Sequence, residues 1–114
     1  MRNIPEKDWK KMRSIKETVL NMACERILKK VKRIIENKEN NNHTAYIKLW
    51  KLMRAEDNEI ALMFDDLKRS NARIKLAAWK RSGLISDEGL KEFSEETQES
   101  VNTINELLLQ EKER

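Results

Sequence analysis

The hydrophobic residues of the first third of the chain recur every three or four positions, the spacing of one face of an α-helix. Pro5 precedes this stripe where a first helical turn tolerates proline, since its missing N–H would find no helical partner. An asparagine-rich segment, residues 37–42, ends it. We therefore predict a helix over residues 5–37 with Cys24 as a small buried residue. The stripe is formed by Trp9, Met12, Ile15, Val19, Ala23, Ile27, Val31 and Ile34, widened by Leu20, Cys24, Leu28 and Ile35.

A second stripe alternates steps of four and three residues, the repeat of a supercoiled helix seam. Thr44 is a suitable N-cap before it, and Gly83 a suitable left-handed C-cap after it. We predict one helix over residues 44–82, because strong helix formers surround its polar members. The alternative is a break near residues 54–58 or near 70–71, where Asp57 or Asn71 would act as a cap. The stripe comprises Tyr46, Trp50, Met53, Asp57, Ile60, Phe64, Leu67, Asn71, Ile74, Ala78 and Arg81.

Two further helix starts follow, each a serine before two acidic residues, at Ser86 and Ser94. They predict helices over residues 87–93 and 95–110. The 114 residues include only two glycines and one proline, where average usage would give about eight and six, which disfavours folds rich in strands and turns. The predicted fold is therefore all-α: a long antiparallel helical hairpin followed by a short helix and a C-terminal acidic helix.

The lengths of the two long helices bear on assembly. Helices of about 33 and 39 residues would extend roughly 50 and 58 Å, and the last quarter of the chain is too short to cover both. We therefore predict a homodimer that completes a helical bundle. If the second helix breaks, a monomeric bundle becomes possible instead. The residues predicted to form the oligomer interface are Tyr46, Trp50, Met53, Ile60, Phe64, Leu67 and Ile74.

Charge is distributed unevenly along the chain. Residues 1–54 contain 15 basic and 6 acidic side chains, whereas residues 55–114 contain 9 and 14. Our first interpretation pairs the acidic C-terminal helix with the basic first helix, within one chain or across a dimer. The second is contact with a polyanion such as nucleic acid. A third, contact with an anionic membrane surface, has weaker support. The basic residues concerned are Arg26, Lys29, Lys30, Lys32 and Arg33.

Few residues suggest catalysis. The single histidine, His43, lies beside the asparagine-rich segment, and the single Cys24 has no activating partner at a recognisable spacing. No glycine-rich phosphate loop is present. Acidic residues on a helix could bind magnesium, as in helical hydrolases, but a solvated face explains them better. These acidic residues are Glu56, Glu59, Asp65 and Asp66.

The tryptophans offer a further prediction about burial. Trp9 and Trp50 belong to the two stripes and are expected in the core, whereas Trp79 lies beside the second stripe and is expected to face a partner or solvent.

Taken together, the sequence predicts a small non-enzymatic interaction or regulatory protein that binds other macromolecules and needs no cofactor. A nucleic-acid-associated accessory protein is the alternative, and a magnesium-dependent hydrolase the third possibility. No apolar run approaches the roughly 20 residues needed to span a bilayer, and the first eight residues lack the apolar segment of a signal peptide. We therefore expect a cytoplasmic protein.

Overall fold

The computed structural model describes residues 3–113, which form five α-helices and one 3-10 turn. No strand occurs in this range, which confirms the all-α prediction. None of these helices is both long and apolar enough to cross a membrane. The elements are α1 (Glu6–Glu36), α2 (Asn42–Phe64), the 3-10 turn (Arg69–Asn71), α3 (Ala72–Arg81), α4 (Asp87–Leu90) and α5 (Glu95–Lys112).

The hairpin of α1 and α2 forms as predicted. Pro5 is the N-cap of α1, which therefore starts one residue later than predicted. In the loop, Glu39 and Asn40 have positive φ angles of 47° and 67°, a conformation that asparagine tolerates better than most residues. The N-cap of α2 is Asn41 rather than Thr44: the Asn41 side chain accepts a hydrogen bond from the Thr44 backbone N–H at 3.0 Å. Asparagine and threonine are both good caps, and the one that comes first in the chain is used.

The predicted continuous helix over residues 44–82 is wrong. Helix α2 runs unbroken through residues 54–58 but ends at Phe64. Asp65 is extended and Asp66 has a φ of 55°. The Asn71 side chain accepts a hydrogen bond from the Lys68 N–H and donates one to the Asp66 carbonyl. These polar side chains offer the backbone an alternative to helix, as the second proposed break point near residue 71 implied.

The end of α2 is also stabilised by α3. Lys75 donates a hydrogen bond to the Leu62 carbonyl at 2.8 Å, and the Trp79 indole N–H donates one to the Met63 carbonyl at 3.0 Å. The last four carbonyls of a helix have no partner within it, so these side chains satisfy two of them. The break is therefore fixed by contacts between residues that are 13 and 16 positions apart.

The core lies where α3 packs against α5 and against the end of the hairpin that is opposite its loop. Trp79 is completely buried and stacks on Phe64, with ring centroids 5.3 Å apart. The prediction that Trp79 faces a partner or solvent is therefore wrong, because the break in the second helix folds α3 back into the core. The buried hydrophobic residues are Ile4, Met12, Val19, Ala23, Met63, Phe64, Ala72, Leu76, Ala77, Trp79, Leu84, Ile85, Leu90, Phe93 and Val101.

Polar contacts attach the chain after α2 to α1, among them an ion pair between Lys11 and Glu92 at 3.1 Å. The Asp8 carboxylate, almost fully buried, accepts hydrogen bonds from the Ser94 N–H, the Ser94 hydroxyl and the Thr97 hydroxyl at the start of α5. Burial by itself would raise the pKa of Asp8, but these hydrogen bonds outweigh it and hold that pKa below its usual value. The Arg26 guanidinium donates to the carbonyls of Ser82 and Gly83, both at 2.8 Å, where α3 ends.

Gly83 adopts the predicted left-handed conformation, with a φ of 79°. Ser86 and Ser94 accept hydrogen bonds from the backbone N–H groups three residues later, which confirms both as N-caps. Helix α4 ends three residues earlier than predicted, at Leu90, whereas α5 extends two residues further, to Lys112.

Candidate interaction surfaces

The distal half of the hairpin projects beyond the core as a two-helix arm, residues 24–57. No residue of this arm is buried. The molecule accordingly measures 53 × 36 × 25 Å and has a radius of gyration of 16.8 Å, against about 13 Å for a compact domain of similar length. The residues where the two helices of the arm meet are only partly buried: Ile27, Val31 and Ile34 from α1, and Ala45, Leu49, Leu52 and Glu56 from α2.

One side of the arm is apolar. In each helix of the arm, the residue that follows a contact residue is rotated by about 100° around the helix axis. Because the two helices run antiparallel, the residues that follow the contact residues lie on the same side of the arm. This side, called the apolar side, carries five of the arm's six exposed large hydrophobic residues; the sixth, Ile47, lies on the outward face of α2. The five are Leu28 (65% exposed), Ile35 (55%), Tyr46 (60%), Trp50 (55%) and Met53 (42%).

The opposite side of the arm is basic. The residues that precede the contact residues lie there, and they include Arg26, Lys30 and Arg33 from α1 and Lys48 from α2. The end of helix α3 lies on this same side of α1, since Arg26 donates hydrogen bonds to the carbonyls of Ser82 and Gly83, which directly follow α3. The core elements therefore approach the hairpin from the basic side and leave the apolar side of the arm uncovered.

The structure does not bring the seven predicted interface residues together in one stripe. Tyr46, Trp50 and Met53 lie on the apolar side of the arm. Ile60, Phe64 and Leu67 instead pack into the core of the same chain, and Ile74 is exposed on α3. The stripe is divided because the break after Phe64 changes the direction of the chain.

Leu28, Ile35 and Cys24 were expected to be buried as part of the first stripe, but all three are exposed. That expectation is wrong because no helix within residues 3–113 covers this side of the arm. Trp50, expected in the core, is exposed for the same reason. The width of the first stripe was a signal for this surface, since it exceeds what a single partner helix covers.

Most of the five basic residues predicted to contact a polyanion have partners within the chain. Arg26 binds the carbonyls at the end of α3, and Lys30 binds Glu56 of α2 at 2.6 Å. Lys29 and Lys32 pair with carboxylates one turn away on α1, Glu25 at 3.0 Å and Glu36 at 3.8 Å. Exposed pairs of this kind are weak and leave the lysines available to other anions.

The predicted pairing of the acidic C-terminal segment with the first helix forms in part, because Glu92 pairs with Lys11 of α1 at 3.1 Å. Helix α5 packs against α3, where its Glu96 pairs with the buried Arg73 at 2.8 Å. Lys80 of α3 pairs with Asp87 at 2.8 Å, and this pairing holds the pKa of Asp87 below its usual value. The acidic segment is thus neutralised partly by α3.

At the tip of the arm, Arg33, Lys38 and Lys48 line a cavity of about 230 Å³. Its other lining residues are Ile34, Asn37, Asn41, Thr44 and Ala45, so the lining contains no carboxylate. Sequence analysis missed Lys48, because only the turn of the hairpin brings it beside the end of α1. The composition of this cavity suits a phosphate or another oxyanion.

A larger groove, of about 950 Å³, lies between the C-terminal half of α5 and the ends of α2 and α3. Three leucines, Leu62, Leu108 and Leu109, are its only apolar lining residues, and they lie among eight polar or charged ones.

The residues considered for catalysis are dispersed. His43 is exposed in the first turn of α2. Glu56 is engaged by Lys30, Glu59 lines the large groove, and Asp66 pairs with Lys68 at 3.2 Å in the turn after α2. Across residues 3–113, no three histidine, cysteine or acidic side chains are grouped so that they could hold a metal ion.

Comparison of the chain with protein-family models, with curated proteins and with solved structures finds no match. The functional interpretation therefore rests on the surfaces of the molecule itself.

Proposed function

We propose that the protein is a non-enzymatic, cytoplasmic interaction protein that acts as a homodimer, in which two copies join through the apolar sides of their arms. The observation that carries this proposal is the apolar side itself, where Leu28, Ile35, Tyr46, Trp50 and Met53 are all exposed. An exposed, unpaired Cys24 also suits the reducing cytoplasm.

The size of the apolar side supports association. An aromatic side chain presents about 150–250 Å², so Tyr46, 60% exposed, leaves roughly 100 Å² in water and Trp50, 55% exposed, roughly 140 Å². The five side chains together expose roughly 500 Å², comparable with the largest apolar patches of monomeric proteins, which are often functional. Covering such a patch on each of two chains removes about 1,000 Å² of apolar surface from water, the lower limit of the area that a specific interface buries.

A second copy is the partner that the surface itself supplies. A two-fold axis brings the apolar sides of two chains together, so the exposed hydrophobic residues of each arm are covered by the same side of the other.

One charge introduced into the apolar side tests the proposal. Met53→Glu should weaken dimerisation, because a two-fold interface buries the unpaired carboxylate twice. Ile47→Glu, on the outward face of the same helix, is the matched control and should dimerise normally. Sedimentation equilibrium measures both. Equal dimerisation of the two variants, or equal loss in both, would contradict the apolar side as the interface.

A further inference from the structure

The arm concentrates positive charge. Residues 24–57 contain nine lysine and arginine residues and five acidic residues (9 − 5 = +4), which equals the net charge of the whole chain. The remainder of the chain is therefore neutral overall (4 − 4 = 0). A polyanion that approaches the protein is attracted to the arm.

The charges at the tip are the ones available for an external anion. Arg33, from α1, and Lys48, from α2, line the tip cavity together with Lys38 of the loop. Within residues 3–113, no carboxylate oxygen lies within 4.0 Å of the nitrogen atoms of these three side chains, in contrast to Lys29, Lys30 and Lys32. Lys38 donates a hydrogen bond to the Asn42 side chain at 2.7 Å. The cavity thus collects three cations without a neutralising group.

We propose that the tip and basic side of the arm bind the phosphate backbone of a nucleic acid duplex. Duplex DNA carries one negative charge per about 1.7 Å of its axis, so neighbouring phosphates can contact Arg33, Lys38 and Lys48 together. Single strands are recognised largely by bases stacked on aromatic side chains. No aromatic residue lines the tip cavity, and Tyr46 and Trp50 line a different cavity together with Lys51 and Arg54. The contact is therefore with phosphates and independent of base sequence.

This proposal does not rest on dimerisation, because the basic and apolar sides are opposite faces of the arm. A dimer joined through the apolar sides leaves both basic sides on its outside. The two proposals can therefore fail separately, and the oligomeric state of every variant is measured alongside its binding.

Fluorescence anisotropy with a short labelled DNA duplex, over a series of salt concentrations, tests the proposal. If Arg33, Lys38 and Lys48 each neutralise one phosphate, the logarithm of the binding constant should fall against the logarithm of salt concentration with a slope of about −3. The double variant Arg33→Glu/Lys48→Glu should bind at least about tenfold more weakly and should lower that slope by about two.

The matched control is Lys91→Glu/Lys112→Glu, which makes the same change in net charge at exposed lysines outside the arm. It should bind the duplex within about threefold of the unaltered protein, since salt screens charges beyond roughly 10 Å. Circular dichroism verifies folding, and Arg33→Ala/Lys48→Ala serves if the glutamate variant does not fold. Three results would overturn the proposal: no duplex binding at low salt, equal loss in the control, or tighter binding to a single strand or to polyglutamate.

Discussion

Replacement of Trp50 by alanine should weaken the dimer without weakening the folded monomer. Trp50 is 55% exposed, and a tryptophan presents about 250 Å², so roughly 140 Å² can leave water when a second copy binds. At 25 cal/mol/Å² this amounts to about 3 kcal/mol per chain. Because each dimer contains the residue twice, even half of that burial gives about 3 kcal/mol and raises Kd roughly 100-fold.

Sedimentation equilibrium gives Kd for this variant, and thermal unfolding at concentrations below Kd gives the stability of its monomer. The monomer should change by less than about 0.5 kcal/mol, as is usual for exposed positions. Leu62→Ala is the matched control, since Leu62 is 69% exposed on the same helix but lines the groove beside α5. The reasoning is refuted if Trp50→Ala dimerises normally, or if Leu62→Ala weakens the dimer equally.

Three further predictions concern the fold. Asp8→Asn should lower the free energy of unfolding by about 2–3 kcal/mol at neutral pH. Because the pKa of Asp8 is lowered on folding, the stability difference between the variant and the unaltered protein should disappear only as the pH falls below the ordinary value of 3.8. Trp79→Phe should cost about 1–3 kcal/mol in denaturant unfolding, because it leaves the buried Met63 carbonyl without its hydrogen bond. Arg26→Ala should cost about 1–3 kcal/mol, through the carbonyls at the end of α3, and Arg26→Lys should restore only part of it, since lysine cannot form the two-pronged contact. If any of these variants is as stable as the unaltered protein, the stabilising role given to that residue's hydrogen bonds is contradicted.

The helices could be predicted because their stripes and caps are local features of the sequence. Pro5, Gly83, Ser86 and Ser94 act at the ends of helices as their residue types suggest. The break after Phe64 could not be predicted with the same security. It depends on the side chains of α3 that bind the last carbonyls of α2, and such contacts exist only once the chain has folded back.

The interaction surfaces were only partly visible in the sequence for a related reason. Periodicity identified Tyr46, Trp50 and Met53 as members of an apolar stripe, but not which parts of that stripe a later helix covers. Burial of Phe64 and exposure of Trp50 follow from where α3 packs. Similarly, Lys48 joins Arg33 only because the hairpin turn places the start of α2 beside the end of α1.

Sedimentation equilibrium of the unaltered protein, from low to high micromolar concentration, tests the central claim most directly. Self-association through the arm predicts an apparent mass that rises from the 13.6 kDa of one chain towards twice that value and then stops. A mass that stays at 13.6 kDa over the whole range would contradict the homodimer. A mass that continues to rise beyond two chains would contradict a closed two-fold interface.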